Sequence, residues 1–487
     1  MASGYLHGVY TREVPTEILP PRRVDTNVVV AFGTAPVHTL KAGVKRPINE
    51  PVLCYSYSEF VAAFGWSDDW RAYTLCEVAD AVFAQYGMAP VVFVNVFDPA
   101  THIEAVSEEA HTFATDAISC TKIPVSGLVV KDSTGMTTYD PATDYTVDMA
   151  TGVITRLESG LIEPNDAVKV SYSAASPATV SAADILGGID PATLKRRGLE
   201  LIDEIFPRFR LVPGSIIAPG FSDKDGVGVA MAAKASGING LFNAIALVDV
   251  PTDAVSKYTD VPSYKERANL TSKFMAVCWP LVTLGGKVYH LSSQLAGCIS
   301  ATDDDAGGTP QVSPSNKRAY IDGAVTRTAD GELEEVWLGL DQNNYLNGQG
   351  VITVSNFDGG WKFWGNRTGC YPSNTDPKDA FLPVRRFFNW YANTFILTYF
   401  AKVDSPLTRR LINTFVKSEQ IRLDGYTAQG VINGGRIVYI EDENPLTDLM
   451  DGILRFHLFI TPPVPARVVE GIFEFDPDYL KNLMGDN

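Results

Sequence analysis

Apolar and polar positions follow two different rhythms along this chain, and the changes of rhythm divide it. From 25 to about 112, short unbroken apolar runs exchange with amphipathic ones. The run TNVVVAFG (26–33) ends on a glycine and has the pattern of a strand buried on both faces. YSEFVAAFG (57–65) reads as a short helix stopped by Gly65. Between 72 and 86, Leu75, Val78, Ala79, Val82 and Tyr86 fall on one helical face, with Gly87 just after. VVFVNVF (91–97) is a second buried strand, which completes an α/β unit.

From 113 to 180 the helical period disappears. VSGLVVKD (125–132), TDYTVDMATGVITRL (143–157) and AVKVSYSA (167–174) read as strands. The turn residues between them are Asp140–Pro141, Thr151–Gly152 and Pro164–Asn165. A small all-β module inserted into the α/β body accounts for this, with Lys, Asp and Thr on its outer faces. The α/β pattern resumes from 181 to about 380, with SIIAPG (215–220), a helix over about 223–236, NAIALVDVP (243–251) and KFMAVCWPLV (273–282). TDDDAGGTPQVSPSNK (302–317) is poor in apolar residues and is expected to be a mobile or interfacial loop.

From 381 to 487 the predicted order is helix, helix, strand, short helix, two strands. Ser405 and Pro406 suit an N-cap and first helical position, opening a helix over 406–418. Leu407, Leu411 and Phe415 recur every fourth residue, while Arg410, Asn413 and Lys417 occupy a different, basic face. Gly434–Gly435 introduce RIVYIED, Asn444–Pro445 start a short helix, and ILRFHLFIT (453–461) is a strand. The fold class is therefore α/β: a multidomain body (25–112 and 181–380), an inserted small all-β outer domain (113–180) and an α+β C-terminal domain (381–487).

Both ends are extended arms. Residues 1–24 carry a β-leaning stretch from Tyr5 to Val14, followed by Pro15, Pro20 and Pro21, which cannot donate to a ladder. After Pro462, Pro463 and Pro465 comes ARVVEGIFEF (466–475). Val469, Phe473 and Phe475 share one face of that run, and Val468, Glu470 and Glu474 the other. A strand at a chain end, beyond a proline spacer, must still satisfy its backbone groups. Two outlets stand open: each arm packs on its own domain, or it adds to a sheet edge of another copy. The residues that would carry such strand exchange are Tyr5, Val9, Tyr10, Val469, Ile472, Phe473 and Phe475.

Composition narrows the function classes. The chain has 487 residues, 45% hydrophobic and 20% charged, which excludes wholesale disorder. Lys and Arg number 40 against 57 Asp and Glu, for a net charge of −17. Such a surface repels phosphate backbones, so direct nucleic-acid binding is not expected. The longest strongly apolar stretches fall short of the ~18 residues of a membrane span, so no membrane insertion is expected. MASGYLHGVY lacks the basic start and apolar core of a secretion signal. Six cysteines without CxxC spacing read as reduced, buried thiols.

Chemistry-bearing motifs are sparse. The GxSxG, HExxH and Walker A patterns do not occur. Gly226 and Gly228 begin a GxGxxG, but Met231 holds its third place; Gly285–Gly286 reads as a hairpin turn. His102 and His111 do not match a metal helix, and His457 reads as a satisfied strand residue. Asp303–Asp305 resemble the start of a calcium loop, but Gly307 and Pro314 stand where ligands are needed, so a solvated acidic loop is expected. No catalytic residue, cofactor site or metal site is expected, and the chain is read as non-enzymatic.

One resemblance ties these readings together. NVVVAFGTAP, YSEFVAAFG, FVNVFDP, GSIIAPGF…NAIALVDVP, ITVSNFDGGWKFWGNRT, LPVRRFFNWYANTF and INGGRIVYIEDENPLTDLMDGILRFHLFITPPVPA follow one another in family order over nearly the whole chain. Together they resemble the sheath protein of contractile phage tails and phage-tail-like particles. The resemblance implies a structural subunit that stacks as helical rings around an inner tail tube. It implies that N-terminal arm and C-terminal strand join a neighbour's C-terminal domain, and that contraction drives the tube through the target envelope without nucleotide hydrolysis. Implied partners are further copies of the chain, the inner tube protein, and baseplate and tail terminator proteins. The implied location is a virion tail or tail-like particle, assembled in a bacterial cytoplasm. Tube-facing candidates are Arg409, Arg410 and Lys417, or alternatively the acidic segment 441–451. Two other readings stay open: a static tube-forming virion protein and a soluble α/β hydrolase-like enzyme.

Overall fold

The computed structural model describes residues 25–41 and 43–484. Tyr5, Val9 and Tyr10, and the expected N-terminal strand, lie outside the described residues. Eight strands form the central sheet: β1 (Val28–Gly33), β2 (Pro51–Cys54), β3 (Val91–Asn95), β4 (Pro213–Ile217), β5 (Ile245–Asp249), β6 (Met275–Cys278), β7 (Val351–Asn356) and β8 (Trp361–Trp364). Their order is β2-β3-β1-β4-β5-β6-β7-β8. From β3 through β7 every neighbouring pair is parallel, and β2 and β8 close the two sides antiparallel. The unbroken apolar runs end up where both faces are covered: β1, β3, β5 and β6 are buried along their whole length. Register places Val30 between Val92 and Ile216, and Leu247 beside Ala276.

Helices follow their local signals. Helix α1 (Tyr57–Phe64) is capped by Ser56, whose hydroxyl accepts from Glu59 N at 3.2 Å, while Glu59 Oε2 accepts from Tyr55 N. Helix α2 (Thr74–Ala79) widens into a π-helical stretch over Asp80–Gln85, so the face expected through Tyr86 is not carried by one uniform helix. Helix α3 (Val227–Ala235) begins beside Gly228. A Cβ there would stand 2.7 Å from Val248 Cγ1, so close packing on β5 accounts for this glycine. Gly285 and Gly286, at φ 59° and 79°, turn the hairpin between Leu281–Leu284 and Lys287–Tyr289.

Helix α4 (Leu291–Asp305) corrects the reading of 302–317. Thr302–Asp305 belong to this helix, and Asp303 is wholly buried against Arg386 rather than solvated. An arginine from a distant helix neutralises it, which one-dimensional reading cannot anticipate.

Residues 103–175 carry two three-stranded sheets. Ile103–Thr112, Ala167–Ala175 and Val125–Asp132 make one; Ala117–Ser119, Val153–Arg156 and Tyr145–Asp148 make the other. They enclose a core of their own around Phe113, Val130, Tyr145, Ile154, Val170 and Tyr172. The expected boundary at 113 leaves Ile103–Thr112 with the body. Its ladder to Ala167–Ala175 places that strand with the β-rich segment instead.

Helix α5 (Leu382–Tyr399) likewise moves a boundary. Leu382, Phe387, Trp390 and Tyr391 are buried in the body's core, so residue 381 does not begin a separate packing unit. Helix α6 spans Arg409–Ala428, not 406–418. Thr408 is its cap, with Oγ1 accepting from Leu411 N at 3.2 Å. Ser405 is instead tied to the preceding turn, its N–H donating to Lys402 O. The helix runs on past 418 because Glu419 and Leu423 extend its buried stripe.

Candidate assembly interface

Helix α5 is stitched to the body by polar side chains. Arg386 Nη1 donates to Asp303 Oδ1 at 3.0 Å, and Nη2 to Oδ2. Asn389 Nδ2 donates to Ala244 O at 2.9 Å, and Asn393 Nδ2 to Asn243 O at 2.8 Å. Helix α6 then packs on α5 through Glu419, which is fully buried. Its carboxylate accepts from the hydroxyls of Tyr391 and Tyr399 and from Arg422 Nη2. Burial, reinforced by the Glu419 charge, pushes both phenols above their ordinary pKa, so they stay donors. Burial works against the Arg422 charge, but Glu419 outweighs it and holds the guanidinium pKa above its usual value. A buried carboxylate with this many donors is satisfied rather than orphaned.

A two-stranded sheet rides on α6. Gly434–Val438 pairs antiparallel with His457–Thr461, placing Arg436 opposite Phe459, whose ring centroid lies 4.4 Å from the guanidinium carbon. The outer side of Gly434–Val438 is occupied by Gln420 of α6. Gln420 Nε2 donates to Gly435 O and Ile437 N donates to Gln420 Oε1, each at 3.2 Å. One side-chain amide thus takes the two backbone groups a further strand would use. Strand residues alternate in the direction of their backbone groups. The ladder therefore runs through 434, 436 and 438, and the backbone of Leu458 and Ile460 faces the other edge. Among the described residues no strand pairs there.

The C-terminal run departs from expectation. Residues 462–476 form no strand in the chain by itself. Val469, Ile472, Phe473 and Phe475 are 89%, 80%, 98% and 80% exposed. The alternation of the run describes a half-buried strand, and among the described residues nothing covers its apolar side. Arg409, Arg410 and Lys417 are exposed on α6. The acidic segment 441–451 is largely exposed too, apart from the buried Asn444, with Glu443 bonded to His457 Nε2 and Asp448 to Arg455 Nη1. Sequence reading missed Gln420; a polar residue at a half-buried helix position facing a two-glycine strand start is the only signal it leaves. All six cysteines are buried and free. Among the described residues no cluster could hold a metal ion, and no helix is long and apolar enough to cross a membrane.

Comparison with known proteins places this arrangement. The tail sheath protein of Burkholderia phage BcepMu is 31% identical over 502 residues, covering 100% of both chains. The chain belongs to the tail sheath protein family. A family described as "Protein of unknown function UCP028589" matches residues 95–184, the β-rich part of this sheath protein. The fold also resembles the PVC sheath complex of an extracellular contractile injection system in its contracted state. That likeness has a TM-score of 0.58 and 14% identity, over 98% of this chain and 100% of that one. The contracted helical sheath of the anti-feeding prophage aligns at TM-score 0.56 and 14% identity, over 96% and 99%. At these identities the likeness is one of fold. It confirms a mixed α/β architecture of several sheets for this sheath protein, and a structural role follows from the family.

Proposed function

We propose that this sheath protein polymerises as stacked helical rings around an inner tail tube, hooked together by exchanged strands, and shortens to drive the tube through a target envelope. The observation that carries this is the pairing of an uncovered apolar run with an open sheet edge in one subunit. Val469, Phe473 and Phe475 lack a surface to cover them. His457–Thr461 offers unpaired backbone on its outer side, while Gln420 closes the opposite edge. A strand donated by a neighbour satisfies both deficits at once. The N-terminal arm, with Tyr5, Val9 and Tyr10, is the second proposed donor.

Main-chain ladders suit a moving joint. Several bonds, each worth about 0.5–1.5 kcal/mol net, share a load. Proline-containing spacers let rigid bodies rotate while the ladders persist. A difference of a few kcal/mol per subunit between extended and contracted states is sufficient, because it is summed over many copies. The proposed partners are further copies of the chain, the tube protein, the baseplate and the tail terminator. The tube-facing surface is either the Arg409, Arg410 and Lys417 face of α6 or the acidic segment 441–451, since surface ion pairs of ~0–1 kcal/mol release easily. The β-rich segment is an outer decoration, and the particle is a virion tail or tail-like particle.

Electron microscopy of the purified full chain tests this reading. Wide hollow tubes are expected, and intact particles should show two helical geometries, before and after triggering. A monodisperse monomer at high concentration, or a single geometry in triggered and untriggered particles, would overturn it.

A further inference from the structure

The central sheet has a switch point that the assembly reading leaves unused. From β1 the chain moves towards β2 and β3, whereas from β4 it moves towards β5, and β1 and β4 are neighbours. In open α/β sheets the crevice beyond the carboxyl ends of such strands is where ligands bind. Here that crevice is a cleft of about 1050 Å³, walled by the body on one side and by Lys122, Ile123 and Ser176 of the β-rich segment on the other.

Its floor holds a fixed imidazole. Glu77, itself 1% exposed, accepts from the backbone N–H of His290 at 2.6 Å and stands 2.9 Å from His290 Nδ1. The ring is thereby oriented with its far edge against Gly220, where a Cβ would lie 3.8 Å from Nε2. Glycine leaves that edge open to the cleft, and Nε2 has no hydrogen-bond partner among the described residues. Burial lowers the pKa of this imidazole, but Glu77, helped by Asp249 and Asp223, more than reverses that and holds it at about 9. The ring is therefore cationic at neutral pH, with Nε2–H as a free donor.

Two arginines share the wall above it. Arg327 Nη1 donates to Gly331 O at 3.2 Å, and a Cβ on the same Gly331 would stand 3.6 Å from Arg71 Nη1. Neither forms an ion pair among the described residues. Burial and the adjacent Arg71 charge both lower the pKa of Arg327. Asp253 offsets part of this by raising the Arg327 pKa, but it forms no ion pair with either guanidinium, so the two groups still repel each other until an anion joins them.

Most of the cleft's carboxylate oxygens are engaged, the exception being Asp223 Oδ1, which is buried without a partner among the described residues. Asp68 faces Lys287, Asp223 faces Lys224 and Glu104 faces Lys122. Asp69 accepts from Ala72 N, Asp253 from Ala254 N, and Asp249 from Ser292 N. Besides that one acceptor, the cleft offers a guest the charged donors of Arg71, Arg327 and His290.

We propose that this cleft, whose floor also carries the cationic His290, binds a phosphate group, free or as a small phosphate ester, held by Arg71 and Arg327. Planar guanidinium forks match phosphate oxygens two at a time, which favours phosphate over a halide. The site is separate from the arms and the sheet edge that carry assembly.

Isothermal titration of the full-length chain with sodium orthophosphate, and separately with glycerol 3-phosphate, at fixed ionic strength and pH 7, tests it. Saturable binding with one site per chain is expected. Charge-assisted hydrogen bonds are worth about 1.5–3 kcal/mol, so Arg71→Gln and Arg327→Gln should each weaken binding about tenfold or more. Arg71 is exposed, so its replacement does not threaten the fold. Lys195→Gln, at an exposed position outside the cleft, should change nothing. Tighter orthophosphate binding identifies a free ion, and tighter ester binding a phosphorylated compound. No saturable heat with either probe, or binding that survives the Arg71→Gln/Arg327→Gln double change, overturns the proposal.

Discussion

Arg386 and Asp303, 83 residues apart, meet in a buried two-pronged ion pair that ties α5 to the end of α4. This contact couples α4 of the body to the helix that leads on to α6 and the C-terminal sheet. Removing one partner of a buried pair leaves an uncompensated charge, at a cost of about 3–5 kcal/mol. Asp303→Asn should therefore lower the unfolding free energy by that amount in urea titrations. Asp304→Asn, at an exposed position one residue on, should change it little. Equal effects of the two changes would show that the pair contributes nothing special.

Gln420 closes one edge of the C-terminal sheet with its side-chain amide. Gln420→Ala removes two hydrogen bonds worth about 0.5–1.5 kcal/mol each and leaves Gly435 O and Ile437 N free. An unprotected edge invites pairing with the wrong strand. The expected outcome is a folded subunit whose tubes are irregular or branched in negative-stain images. Uniform tubes would mean that the edge is guarded by something else.

Phe473 is 98% exposed in the isolated chain, so Phe473→Asp should shift monomer unfolding by no more than about 0.5 kcal/mol. Tube formation, followed by light scattering, should be lost. A matching loss of monomer stability would mean that the run packs on its own subunit.

Removing residues 1–20 is expected to leave a folded body that no longer polymerises. Circular dichroism reports the first property and microscopy the second. Normal tubes from the truncated chain would exclude the N-terminal arm as a donor.

His290 also makes stability depend on pH. Its folded pKa, about 9, lies above the ordinary value of 6.5. The charged ring therefore contributes stability that is fully present below pH 6.5 and is lost as pH rises through 9. The full difference is about 3 kcal/mol. Facing groups are Glu77, Asp249 and Asp223. Burial lifts Asp249 to about 6 despite its bonds to Ser292 and the nearby His290 charge. Its own loss of stability with rising pH is thus nearly complete before the His290 window opens. The stability gap between wild type and His290→Gln should shrink between pH 6.5 and 9. A constant gap would mean that the ring is neutral throughout.

Much of the α/β body was legible because its strands are buried on both faces, so NVVVAFG and IALVD announce themselves without reference to partners. Gly65 marked the end of α1, since a helix stop acts within a few residues. The misreadings share a cause. Asp303 looked solvated because Arg386 is absent from its neighbourhood in sequence. Ser405–Pro406 looked like a helix start, but a turn closed onto Lys402 leaves Thr408 to cap α6. In the C-terminal run the alternation was visible, yet among the described residues no ladder exists to realise it.

The amino-acid order alone determined the α/β class, the β-rich interruption and the family, because hydrophobic period and turn chemistry are short-range properties. Which edge of the small C-terminal sheet is closed, which acid is buried, and the meeting of Glu77, His290, Arg71 and Arg327 in one cleft were decided only by tertiary structure. Each depends on the direction of a backbone group or the end of a long side chain after distant segments have packed, and no local pattern encodes that.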